Sequence, residues 1–135
     1  MKKYLSYLTI TLLLIVSLSS KSCVDDPDYV AFLIKVDSIQ IPIEIKANVP
    51  FDIVFYGTIG TNGCYSFREF YEYEANNEIV IEAWGNLQYD AKVCPTVMVY
   101  LDGIKKRTTI NQTGTYILRI KQPRSADILK QIIVT

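Results

Sequence analysis

The chain has 135 residues, half of them hydrophobic and 12% aromatic, interrupted by six Gly and five Pro, a composition that suits one folded domain and not a disordered segment. Its 14 basic and 14 acidic residues cancel; removing the first 22 residues takes away Lys2, Lys3 and Lys21, leaving 11 against 14, or −3, with no basic block to bind nucleic acid. Histidine is absent, which removes serine–histidine and cysteine–histidine catalysis and most zinc sites.

The N-terminus reads as an address. Lys2 and Lys3 precede an apolar stretch over residues 5–18, and the small residues Ser19, Ser20 and Ser22 lead to Cys23. This is the layout of a secretory signal peptide. A retained membrane helix is the alternative, but a span needs about 20 apolar residues, and this core is shorter and diluted by Ser and Thr. The run Ser19-Ser20-Lys21-Ser22-Cys23 resembles a lipobox, with Ser20 where Leu is usual. In its looseness it is similar to the N-termini of Bacteroidota lipoproteins. That resemblance implies cleavage before Cys23 and a diacylglycerol thioether on its sulfur; the alternative is ordinary cleavage that leaves Cys23 unmodified or removes it. Two acyl chains suffice for stable anchoring, each buried CH₂ contributing ~0.8 kcal/mol.

Behind the cysteine, Val24-Asp25-Asp26-Pro27-Asp28 is acidic and lacks an apolar pattern. It resembles the surface-transfer signal of such lipoproteins, and it also suits a plain solvated tether. The resemblance implies an outer-membrane, lipid-anchored protein facing the cell surface or, alternatively, the periplasm. The chain therefore divides into a signal peptide (1–22), a lipidated cysteine with an acidic tether (23–34), and a β domain (35–135).

From there, apolar and polar residues alternate at period two between turn residues. The pattern predicts strands over residues 36–45, 51–59, 64–74, 78–84, 96–101, 104–110, 115–121 and 128–134. Pro42 suggests an edge or bulge in the first. In the third, Tyr65, Phe67, Glu69, Tyr71 and Tyr73 form an aromatic face opposite Ser66, Arg68, Phe70, Glu72 and Glu74. Asn76-Asn77 marks a hairpin, residues 85–93 read as a loop, and Asp102-Gly103 is the strongest tight-turn dipeptide. Pro123-Arg124-Ser125 lies in the last hairpin. Seven or eight short strands and no convincing helix after the signal indicate an all-β sandwich or barrel.

With Cys23 lipidated, Cys64 and Cys94 remain, and an even pair in an exported domain reads as a disulfide. A redox pair would more often sit as Cys-x-x-Cys, and two cysteines without histidine make a poor zinc site. The run Thr113-Gly114-Thr115-Tyr116-Ile117-Leu118 resembles the tyrosine-corner entry to the penultimate strand of immunoglobulin-like domains. The resemblance implies an immunoglobulin-like antiparallel sandwich, with Gly114 and Tyr116 forming the corner and the Tyr116 hydroxyl bonded to upstream backbone. No cysteine lies near Tyr116, so the Cys64–Cys94 pair departs from the inter-sheet pin of antibodies.

Candidate sites are few. Glu69, Glu72, Glu74, Glu78 and Glu82 offer carboxylate pairs, but acid–base work needs one in a pocket that raises its pKa, and solvated strand faces suit the pattern better. The aromatic excess is more informative. Trp84 shares a strand face with Glu82; with Tyr71, Tyr73, Tyr89 and Tyr100 it forms either a stacking platform for sugars or a partner protein, or ordinary core packing. Asp37-Ser38-Ile39 resembles the Bacteroidota O-glycosylation pattern, which implies a glycan on Ser38. Asn111-Gln112-Thr113 matches an N-glycosylation sequon, although such bacteria are not expected to use it. No metal site or cofactor motif is read. The expectation is a non-enzymatic, membrane-tethered module that binds a glycan or an envelope protein. An inhibitor or accessory subunit whose loops (57–63 or 85–93) plug a partner enzyme is the alternative.

Overall fold

The structure is a computed structural model that describes residues 28–135. The expected signal segment 1–22, Cys23 and residues 24–27 of the acidic stretch lie outside the described residues. Eight strands and no helix make up the described chain: β1 (Tyr29–Leu33), β2 (Lys35–Gln40), β3 (Phe51–Gly60), β4 (Tyr65–Ala75), β5 (Glu78–Gln88), β6 (Val99–Thr108), β7 (Gly114–Ile120) and β8 (Ile128–Val134). They form two sheets. In the larger, β4 flanks one edge of β5, while β1 and β7 share the other edge and β8 follows β7. In the smaller, β3 lies between β2 and β6.

Alternation builds the core. In β3, Phe51, Ile53, Phe55, Gly57 and Ile59 point inward and the residues between them outward. They meet Ile79, Ile81 and Ala83 of β5 and Tyr116, Leu118 and Ile120 of β7. Phe55 and Phe70 join the sheets with ring centroids 4.5 Å apart. Each fully buried side chain of this size contributes about 1.5–3 kcal/mol, so this apolar layer dominates the stability of the sandwich.

β1 and β2 are one stretch of chain that changes sheets. β1 pairs antiparallel with residues 84–88 of β5; Ile34 then donates its N–H to the Ala83 carbonyl at 2.8 Å, and β2 pairs with β3. β7 takes the rest of that β5 edge, running parallel to residues 78–81. Every other strand pair is antiparallel. At the crossover, the buried Gln122 side chain accepts from the Val36 N–H at 3.1 Å and donates to the Val36 carbonyl at 3.0 Å. It acts as a substitute strand against the open edge of β2.

The structure corrects several boundaries read from the pattern. A strand that the pattern did not predict, β1, lies within residues 23–34, because it finds its ladder on a distant strand. The first predicted strand ends at Gln40, before Pro42. Residues 85–88, read as loop, continue β5 between β1 and β4. Gly85 suits that position: a Cβ there would lie 2.6 Å from the Phe32 ring. Asp102-Gly103 does not end a strand. It is a bulge inside the continuous β6, where pairing skips from Phe55↔Ile104 to Tyr56↔Asp102 and Gly103 takes φ +72°. Asn76 and Asn77 do form the β4–β5 turn, both with positive φ as a type I′ turn requires.

Candidate functional site

β4 does not carry a single aromatic face. A bulge between Phe67 and Glu69 flips the alternation: Tyr65, Phe67 and Phe70 turn inward, and Tyr71 and Tyr73 turn out to solvent. A one-residue insertion exchanges the faces of everything beyond it, because the side-chain period is two. On β5 next door, Ile79, Ile81 and Ala83 fill the core, which turns Val80, Glu82 and Trp84 to the opposite face, where Val80 is covered and Glu82 and Trp84 are half-buried.

Three of the five aromatic candidates therefore meet on the outer face of the β4–β5 hairpin. Tyr71 lies across from Glu82, Glu69 across from Trp84, and Tyr73 across from Val80. The Tyr71 and Tyr73 rings lie 5.9 Å apart, and Tyr71 is 59% exposed. Trp84 is half-buried and donates its indole N–H to Glu82 Oε2 at 2.8 Å, which holds the ring in place. Arg68 and Glu69 pair at 2.9 Å beside it. Ala31, Arg68, Glu69, Tyr71, Glu82 and Trp84 line a shallow open depression of about 330 Å³. A fixed indole, neighbouring phenols and charged hydrogen-bonding groups at the rim suit a flat ligand with one apolar face and polar edges.

The other two aromatic candidates lie elsewhere. Tyr100 is on β6, across from Thr58, on the outer face of the smaller sheet. Tyr89 follows β5 at the end of the sandwich where β1 begins, and its N–H reaches the Asp28 carbonyl at 3.3 Å. The Asp28 carboxylate beside the Tyr89 phenol raises its pKa above the ordinary tyrosine value.

Most of the carboxylates flagged in the sequence already hold cations or donors. Glu72 turns toward the smaller sheet, accepts from Thr108 Oγ1 at 2.6 Å and has Lys106 Nζ at 2.9 Å. Glu78 pairs with Arg119. Asp127, which no pattern in the sequence singles out, accepts from Lys121 Nζ at 2.9 Å, from the Gln122 N–H at 3.1 Å and from Arg119 at 3.3 Å. The Lys121 ammonium is the main reason its carboxyl titrates below the usual aspartate range. Among the described residues, no three acidic or cysteine side chains are grouped to hold a metal ion.

Cys64 and Cys94 form a disulfide, their Cα atoms 5.2 Å apart. It joins the β3–β4 turn to the loop over residues 89–98, and the Gly63 N–H reinforces it by donating to the Pro95 carbonyl at 2.8 Å. The Tyr116 hydroxyl donates to the Gln112 carbonyl at 3.2 Å, spanning the positive-φ Gly114. Ser38 is exposed on β2. The sequence places a loop over residues 85–93 and a strand from residue 96; in the structure the loop instead follows Gln88 and runs to Val99, its far half drawn out of the ladder where Cys94 and Pro95 are tied to the β3–β4 turn. Comparison of the chain with family models, with curated proteins and with solved structures finds no match.

Proposed function

We propose that this chain is a non-catalytic binding module of the cell envelope, anchored through acyl chains on Cys23, that captures carbohydrate on the outer face of the β4–β5 hairpin. One observation carries the ligand class: Trp84, Tyr71 and Tyr73 share a solvent-facing surface whose indole is held by Glu82. A sugar ring has an apolar C–H face and a polar rim, so stacking on an aromatic ring with carboxylates beside it matches both. The carboxylates Glu72, Glu78 and Asp127 spend their charge on neighbouring cations, which supports binding over acid–base chemistry.

The anchor rests on the N-terminal pattern, and its expected place is the outer membrane, facing outward or alternatively the periplasm. Kinship with immunoglobulin-like sandwiches is supported by the Tyr116–Gln112 corner, while the parallel β5–β7 pair departs from that plan. An inhibitory or accessory role is the second reading, favoured by the disulfide-braced 89–98 loop.

The test is affinity electrophoresis and calorimetry against a panel of soluble polysaccharides. Trp84→Ala should weaken binding at least about tenfold, a loss of about 1.4 kcal/mol, with little change in stability because the residue lies outside the core. Retention of full affinity by Trp84→Ala, or no binding to any polysaccharide by the unsubstituted protein, refutes the ligand class. For the anchor, Cys23→Ala should move the protein from the membrane to the soluble fraction.

A further inference from the structure

The loop over residues 89–98 connects the larger sheet to the smaller and is held at three points. The disulfide fixes Cys94, the Gly63 N–H binds the Pro95 carbonyl, and the Tyr89 N–H binds the Asp28 carbonyl. Such bracing would ordinarily accompany burial, yet the loop presents apolar side chains to solvent: Val93 is 82% exposed, and Tyr89, Val97 and Met98 are exposed too. Tyr29, at the start of β1, adds to the same end of the sandwich. Four exposed apolar side chains gathered on one braced loop suit a contact site.

The sequence limits what can reach it. Cys23 lies five residues before Asp28, a span of at most about 18 Å fully extended. If acyl chains on Cys23 enter a bilayer, the end of the domain carrying Asp28 is held within that distance of them, and the loop bonded to Asp28 with it. We infer that the 89–98 loop docks on the lipid surface, setting Tyr89, Val93, Val97 and Met98 into the headgroup boundary as a second contact beside the acyl anchor. This rests on the anchored reading above.

The chemistry of the loop suits that boundary. Tyr is favoured at membrane interfaces because its ring is apolar and its hydroxyl is not. Within the loop and at Asp28 the charges are Lys92 against Asp90 and Asp28, so apolar burial and not headgroup charge drives the contact. Trp84 lies five residues before Tyr89 along β5, about 17 Å at the rise of an extended strand, which leaves its face on the flank of the domain.

The test uses the full-length lipidated protein in phosphatidylcholine vesicles doped with lipids spin-labelled near the headgroup. Trp84→Phe combined with Val97→Trp provides a single reporter in the loop, and Met98→Trp in the same background provides a second should the first misfold. Vesicle flotation is measured on the same samples. Docking requires the loop tryptophan to be quenched several-fold more strongly than Trp84 of the unsubstituted protein, with a blue-shifted emission. Protein that floats while its loop tryptophan is quenched no more than Trp84 overturns the docking and leaves the anchor standing; the loop would then be open to a protein partner. Protein that does not float overturns the anchor, and the docking falls with it.

Discussion

Gln122 is the side chain on which the change of sheets between β1 and β2 depends. Val36 is buried on β2, and both its N–H and its carbonyl turn away from β3 to meet the Gln122 amide. Gln122→Leu keeps the volume and removes both partners, leaving two buried backbone groups unsatisfied. Each such group costs about 1–3 kcal/mol, so we expect a loss of roughly 2–6 kcal/mol. With a urea slope of about 2 kcal/mol per molar for a small domain, the unfolding midpoint should fall by roughly 1–3 M. Hydrogen exchange of the Val36 amide should accelerate more than that of Ile53 or Leu118, which lie in the shared core. A midpoint change worth less than about 0.5 kcal/mol, the size of an ordinary surface substitution, together with unchanged protection of Val36, would refute this account of how β2 is held.

Two further outcomes follow from the cross-links. Replacing Cys64 and Cys94 together by Ala opens a 30-residue loop, which the chain-entropy model values at ~3.6 kcal/mol; urea unfolding should show a loss of that order, and proteolysis should begin within residues 89–98. Asp127→Asn should destabilise the β7–β8 hairpin at neutral pH. The carboxyl has a lowered pKa in the folded state, chiefly from Lys121, so its contribution is complete above the unfolded value of about 3.9 and disappears as pH falls through the folded value. The stability gap between the variant and the parent should close over that acidic range, and a gap independent of pH would show that the Lys121 contact is not its source.

Much of the scaffold was legible because period-two alternation responds to burial on one face. The strands corresponding to β3 and β8 and the Asn76-Asn77 turn follow from residue types at short range, and the pairing of Cys64 with Cys94, 30 residues apart, follows from the cysteine count. The aromatic site was half legible. Trp84 and Glu82 share a face by simple alternation, whereas Tyr71 and Tyr73 join them only because a bulge near Arg68 reverses the faces of β4. Bulges leave little mark in composition, and Asp102-Gly103 has the same chemistry in a bulge as in a tight turn.

The sequence by itself determined the all-β class and the inventory of aromatic and acidic side chains, since each depends on local periodicity or composition. The tertiary structure decided which of them meet. β1 becomes a strand because residues 84–88 offer it an edge, Gln122 serves as a backbone partner because β2 leaves one open, and Tyr100 is separated from Trp84 because the two sheets face opposite ways. These are pairings between segments distant along the chain, and they are set by which hydrogen bonds and apolar faces remain to be satisfied once the core has closed.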